Sequence, residues 1–179
     1  MLVKILIVLA VLLVGFIIVV ALRPSQFRIM RSALISAPPE VVFPQVNDLH
    51  NWEAWSPWAK LDPAAKGTYE GPAAGVGAVF GWSGNQNIGE GRMAITESQL
   101  NELVRFRLDF VRPFKGTNVA EFTFKPENGQ TRVTWTMSGR YSFIPKAIGL
   151  FINCDDMVGK QFEKGLVELN TVAGSTVKA

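Results

Sequence analysis

The sequence predicts an α+β protein in which an N-terminal transmembrane helix precedes a seven-stranded, curved antiparallel sheet around a long C-terminal helix. Three observations predict this. Residues 5–22 carry no charge, and from about residue 66 to 138 apolar side chains alternate with polar ones, as in strands with one buried face. Residues 155–169 then return to helical spacing. The predicted organisation is an anchor at 1–24, one folded domain at 25–174 and a tail at 175–179.

The first segment predicts a transmembrane anchor. Fifteen of the 18 residues from 5 to 22 are Leu, Ile, Val or Phe. Such a helix spans about 27 Å against a hydrocarbon core of ~30 Å, and its insertion gains on the order of 4 to 9 kcal/mol. A cleaved signal peptide is the alternative, although its apolar region is typically about 7 to 15 residues long. Three arginines follow the segment and one lysine precedes it, which favours a single-pass protein with a cytoplasmic domain.

The folded part begins with a predicted strand over 27–36. Pro38 and Pro39 then suit the start of a helix, which Pro44 shortens or kinks because it removes an internal hydrogen bond. A second short helix is predicted over 51–55 and ends before Pro57.

Strict alternation of apolar and polar residues predicts five strands between residues 78 and 138. A short strand around 68–70 and the strand over 27–36 complete a sheet of seven. The sequence Asn128-Gly129 predicts a tight hairpin between the last two strands. The inward apolar residues of the five strands are Ala78, Phe80 and Trp82; Met93 and Ile95; Val104, Phe106, Leu108 and Phe110; Ala120, Phe122 and Phe124; and Val133, Trp135 and Met137.

The C-terminal stretch predicts a long amphipathic helix that packs on this sheet. Asp155 can cap its start, and an apolar stripe runs from Val158 to Leu169. Gly159 and Gly165 each cost about 1 kcal/mol relative to alanine inside a helix. They permit close approach to the sheet, or allow the helix to open.

Composition excludes several classes of function. The chain has a formal net charge of +3, but four of its basic residues and none of its acidic ones lie in residues 1–35, so the remainder is nearly neutral. No basic stripe is left for a phosphate backbone, and we expect no nucleic-acid partner. One cysteine and one histidine leave no cysteine cluster or His-rich site, so we expect no metal and no cofactor. The glycine-rich segment at 71–85 lacks a nucleotide-binding motif.

The order of elements and several stretches resemble the helix-grip superfamily of START lipid-transfer domains and polyketide cyclase/dehydrase-like proteins (SRPBCC). The stretches are APPEVVFPQVNDLHNWEAWSPW, YEGPAAGVGAVFGWSGN, GEGRMAITES, TRVTWTMSG and DDMVGKQFEKGL. The resemblance is to bacterial polyketide-cyclase-like proteins and covers roughly residues 27–171. It implies an elongated apolar cavity between the sheet and the long helix. It does not imply any catalytic residues in this chain, because members of that superfamily act in transport, sensing, cyclisation and co-chaperone roles.

The aromatic residues are the candidate ligand-binding set. Three of the five tryptophans fall within seven positions, at the predicted short helices that would close one end of the cavity. Indole and phenyl groups with a few N–H donors suit a flat or lipid-like ligand, so the expected partners are a hydrophobic small molecule or lipid and the membrane. The alternative is that these rings fill an ordinary core. The candidate residues are Trp52, Trp55, Trp58, Trp82, Phe106, Phe110, Trp135 and Met137.

Catalysis would need an ionisable group inside the same cavity. Alternation places nearly all charged strand residues outward, and Glu97, in phase with Met93 and Ile95, is the one candidate for an inward carboxylate. The sequence therefore favours binding, with a cyclase- or dehydratase-type enzyme as the alternative. A co-chaperone-like interaction module is a third hypothesis, and it would require an exposed patch containing Trp52 and Trp55.

Overall fold

The structure is a computed structural model that describes residues 1–178. Within these residues the chain forms five α-helices, one 3₁₀ helix and seven strands. The helices are α1 (Leu2–Leu22), α2 (Pro39–Asn47), α3 (Trp52–Trp55), α4 (Phe143–Ile148) and α5 (Cys154–Lys178), with the 3₁₀ helix at Leu49–Asn51. The strands are β1 (Gln26–Ile35), β2 (Lys66–Glu70), β3 (Val79–Ser83), β4 (Glu90–Gln99), β5 (Leu103–Arg112), β6 (Gly116–Glu127) and β7 (Gln130–Arg140).

The seven strands form one open antiparallel sheet in the order β1-β7-β6-β5-β4-β3-β2. β1 closes onto β7, so the first and last strands of the chain are neighbours, whereas β2 and β3 lie at the opposite edge. The hairpin between β6 and β7 turns at Asn128 and Gly129, whose φ angles of 52° and 77° are those of the tight turn that Asn-Gly favours. The predicted α+β fold and seven-stranded sheet are confirmed.

Helices α2, α3 and α5 cover one face of the sheet, which we call the inner face. α5 lies along β1 and also contacts α2 and α3. Its close approach depends on Gly165, where an added Cβ would stand 2.9 Å from Cζ3 of Trp135 and 3.0 Å from Cδ of Pro57. Gly159 similarly leaves room for the guanidinium of Arg31. Of the two roles predicted for these glycines, close approach is the one that the structure shows.

Helix α1 is long and apolar enough to cross a membrane, which fits either a single-pass anchor or a signal sequence. Its last turn lies against the folded part of the chain. Val20 is fully buried, and α4 packs on α1. Lys146 Nζ donates to the carbonyl oxygen of Ala21 at 3.0 Å, and Arg23 Nη1 donates to that of Gly149 at 2.6 Å.

Two features differ from the sequence prediction. The segment after β7 forms the short helix α4, which the sequence analysis did not predict because its six residues, FIPKAI, are too few to show a helical period. The pairing of β4 with β5 shifts register between Ile95 and Glu97. Such a β-bulge inserts one extra residue, here Thr96, and reverses the alternation of faces beyond it.

Candidate functional site

An aromatic cluster fills the inner side of the sheet beneath α2, α3 and α5. Trp52 and Trp55 from the short helices meet Trp135 of β7 with ring centroids 6.1 and 5.7 Å apart. Phe162 of α5 stacks on Trp135 at 4.1 Å, with the rings almost parallel. Phe106 joins through its edge contact with Trp52 at 5.3 Å. All five side chains are buried, so these rings pack against one another as core.

The indole N–H groups of this cluster are positioned by the backbone of α2. Trp52 Nε1 donates to the carbonyl oxygen of Val46, and Trp55 Nε1 donates to that of Gln45, both at 2.9 Å. These bonds explain why the two tryptophans point inward from a helix of one turn. Trp135 Nε1 is buried and has no acceptor among the described residues.

The other end of the inner face is only half covered. β1 begins there, β5 ends there, and the side chains are half-buried. We call this region the open end of the inner face. Strand register places its side chains in adjacent rows, so they form one continuous surface. It consists of Phe27, Phe80, Trp82, Leu108, Phe110, Asn118, Met137 and Tyr141.

Aromatic contacts hold the open end in shape. Trp82 lies over Gly91, contacts Phe110 edge-on at 5.8 Å, and donates its N–H to the carbonyl oxygen of Ile88 at 3.1 Å. At the β1 side, Phe27 stacks on Tyr141 at 4.3 Å. The surface is therefore apolar and ordered, and its partial exposure suits a flat or chain-like apolar ligand.

Two polar groups interrupt this apolar surface. Asn118 lies over Gly139 in the same row as Phe27 and Leu108. Burial raises the pKa of Tyr141 to about 12, and its hydrogen bond to Cys154 and the nearby Asp155 add to the effect, so the phenol stays protonated at neutral pH. Neither residue was among the predicted site residues, although Asn118 is in phase with the inward residues Ala120 and Phe122.

A cleft of about 620 Å³ adjoins the open end at the β1 side. Phe27 and Tyr141 form its inner wall, and α4, the turn after it and the start of α5 form the rest. Its charged lining consists of Arg23, Arg28, Lys146 and Asp155, so the cleft combines aromatic surface with a net positive charge.

The predicted site residues therefore divide between two places. Four belong to the buried cluster: Trp52, Trp55, Phe106 and Trp135. Three lie at the open end: Trp82, Phe110 and Met137. Trp58 lies beside the cluster, half-buried, with its ring 5.6 Å from Trp135.

The prediction that Glu97 faces inward is wrong. Because of the bulge at Thr96, Glu97 lies opposite Arg105 and on the outer face, where the two side chains form an ion pair. Arg105 also binds Glu121 at 2.8 Å. Across the inner face of the seven described strands there is no Asp or Glu side chain.

Arg31 is the charged residue that the inner face does carry. It is in phase with Ile29 and lies opposite Trp135. Its guanidinium bonds Asp155 at 3.0 Å and Glu163 at 2.7 Å, which raises its pKa, chiefly through the hydrogen bond to Asp155. These bonds join β1 to α5, so the structure assigns Arg31 a part in holding the helix on the sheet.

The sequence profile of the family described as "Polyketide cyclase / dehydrase and lipid transport" matches residues 26–174. The chain belongs to this family. The match begins at the first residue of β1, and it includes the whole sheet, α4 and most of α5. No curated protein matches the sequence.

Solved structures share the fold at low sequence identity. A protein from Mesorhizobium loti has a TM-score of 0.62 and 17% identity, covering 84% of this chain and 98% of that chain. A protein from Chromobacterium violaceum has a TM-score of 0.59 and 17% identity, with the same coverage. The Aha1 dimer from Colwellia psychrerythraea has a TM-score of 0.58 and 18% identity, covering 80% of this chain and 93% of that chain. These similarities establish the helix-grip fold of the domain.

Proposed function

We propose that this protein is a membrane-tethered binder of a hydrophobic small molecule or lipid, held at the open end of the inner face. The observation that carries the proposal is the division of the inner face. Its core half is packed with buried rings, whereas six apolar side chains of the other half are only half covered. Ordered, half-buried apolar surface beside a cleft is the usual setting of a ligand site.

The two polar groups define the class of ligand. Asn118 offers a donor and an acceptor, and Tyr141 offers a protonated hydroxyl that also hydrogen-bonds Cys154. The remaining side chains of the surface are apolar except for the indole N–H of Trp82, which is already bonded. This arrangement fits an elongated molecule with an apolar body and one carbonyl, hydroxyl or headgroup. The lipid-transport part of the family description agrees with this class.

Retention of α1 as a membrane anchor is supported by its contacts. Val20 is fully buried, and Ala21 accepts a hydrogen bond from Lys146, so the last turn of α1 is part of the folded structure. Cleavage after the apolar segment would remove these contacts. An anchor also holds the binding surface beside the bilayer, where apolar ligands concentrate.

Native mass spectrometry of the full chain, released from detergent micelles, tests the binding proposal. We expect adducts with phospholipids or fatty acids, and an intact mass that includes α1. Leu108→Asn should reduce the adducts several-fold because it places an amide within the apolar surface. Val119→Asn is the matched control, since it lies opposite Arg107 on the outer face of the neighbouring strand β6 and is already 42% exposed. Absence of adducts, or equal loss in both variants, would contradict the proposal.

The two other functions are supported less well. A cyclase or dehydratase working by acid–base chemistry needs an ionisable group at the reacting atom, and the described inner face carries no carboxylate. An interaction module using Trp52 and Trp55 needs these rings exposed, whereas they are 8% and 0% exposed.

A further inference from the structure

A second apolar surface lies beside the last turn of α1. Four large apolar side chains within ten residues of sequence are exposed: Phe143 by 46%, Ile144 by 57%, Phe151 by 82% and Ile152 by 49%. We call them the α4 patch. Single exposed apolar residues are ordinary on protein surfaces, but a group of them marks contact with a partner or a membrane.

The contacts of α4 place this patch at the level of the membrane surface. Lys146, inside α4, bonds the backbone of Ala21, and Gly149, just after α4, bonds Arg23. Ala21 is the penultimate residue of α1. Because a helix rises about 1.5 Å per residue, α4 meets α1 within about one turn of its end. A helix that spans the hydrocarbon core ends where the headgroup layer begins.

The charges around the patch favour the same location. Residues 140–152 contain Arg140 and Lys146 and no acidic residue, and residues 20–30 contain Arg23 and Arg28 and no acidic residue. Basic side chains at this depth extend towards lipid phosphates. The first carboxylates beyond the patch already have partners. Asp155 forms an ion pair with Arg31, and Asp156 accepts a hydrogen bond from the side-chain amide of Asn153.

We propose that the α4 patch inserts into the interfacial layer of the membrane that α1 crosses. This proposal rests on the tether proposed above and adds a second, independent point of membrane contact. β1 begins and β7 ends at the open end of the inner face, immediately beside α4. The inserted patch would therefore hold the open end against the bilayer, so that an apolar ligand passes between lipid and protein without crossing water.

Fluorescence quenching of the full chain in vesicles tests this placement. In a Cys154→Ser background, an environment-sensitive dye is attached at Phe151→Cys or Ile144→Cys, both exposed positions where a label leaves the core intact. Leu100→Cys is the matched control, because Leu100 is apolar and 77% exposed but lies in the β4–β5 turn at the other end of the sheet. The vesicles contain phosphatidylglycerol and phosphatidylethanolamine, with spin labels placed shallow in the acyl chains.

We expect the labels at 151 and 144 to be quenched by the spin-labelled lipid and to be several-fold less accessible to aqueous iodide than the label at 100. Equal iodide access at 151, 144 and 100, in protein that floats with the vesicles, would overturn the α4 proposal and leave the tether standing. Protein that is stripped from the vesicles by alkaline washing would overturn the tether and this proposal with it. Protection at 151 that disappears on dilution of protein in lipid would assign the patch to a second copy of the chain and overturn membrane insertion.

Discussion

Replacing Gly165 by alanine tests whether the aromatic cluster under α5 leaves free space. The new methyl group would stand 2.9 Å from Cζ3 of Trp135 and 3.0 Å from Cδ of Pro57. Trp135 is 2% exposed and stacked on Phe162, so its ring cannot withdraw. Overpacking of this kind costs about 1–3 kcal/mol, whereas alanine gains about 1 kcal/mol of helix propensity. We expect a net loss in the free energy of unfolding of up to about 2 kcal/mol.

Gly174→Ala is the matched control within the same helix. No atom lies within 4 Å of a Cβ added there, so only the propensity gain of about 0.5–1 kcal/mol remains. The two variants should therefore differ by about 1–3 kcal/mol. Urea unfolding of the full chain in one mild detergent, followed by tryptophan fluorescence, measures this difference. Equal stabilisation by both substitutions would show a hollow beneath α5 and refute the account of a filled cluster.

Three further predictions follow from the site. Glu97→Gln should leave lipid adducts unchanged in native mass spectrometry, because the side chain lies on the outer face; a several-fold loss would contradict that placement. Phe162→Ala should cost about 3–5 kcal/mol in urea unfolding, and Phe110→Ala clearly less, since only the former ring is fully enclosed. In a spectrophotometric titration Tyr141 should ionise near pH 12, and burial should raise the pKa of Tyr69 as well. Because folding raises the pKa of Tyr141, this residue contributes to the free energy of unfolding in full below about pH 10, and the contribution is lost as pH rises through 12. Tyr141→Phe should abolish that loss.

Local patterns were sufficient for most of the fold. Alternation predicted the strands to within a few residues, because the side chains of an extended chain project to opposite faces whatever the strand pairs with. Asn128-Gly129 predicted its hairpin, because few other residue pairs tolerate two positive φ angles. Pro44 was predicted to shorten or kink its helix, and it lies inside the nine-residue helix α2.

The candidate site was predicted less completely, for reasons that concern particular residues. Glu97 was misplaced because a β-bulge is decided by the pairing of two strands and leaves no mark in the alternation of one. Asn118 was missed because alternation identifies a buried face by its apolar residues, and a single polar residue in phase with them carries no such signal. The tryptophan side chains were predicted to face the interior, and they do. Their number in the sequence could not show whether they surround a cavity or fill the core.

The sequence by itself determined which segments are strands and helices, which face of each is apolar, and that an apolar segment precedes the domain. These properties are periodic and local, so they can be read from neighbouring residues. Tertiary structure alone decided that Trp135 and Phe162 stack without a gap, that Arg31 joins β1 to α5, and that α4 lies against the end of α1. Each depends on residues that are distant in sequence, and close packing decides which of them share the available volume.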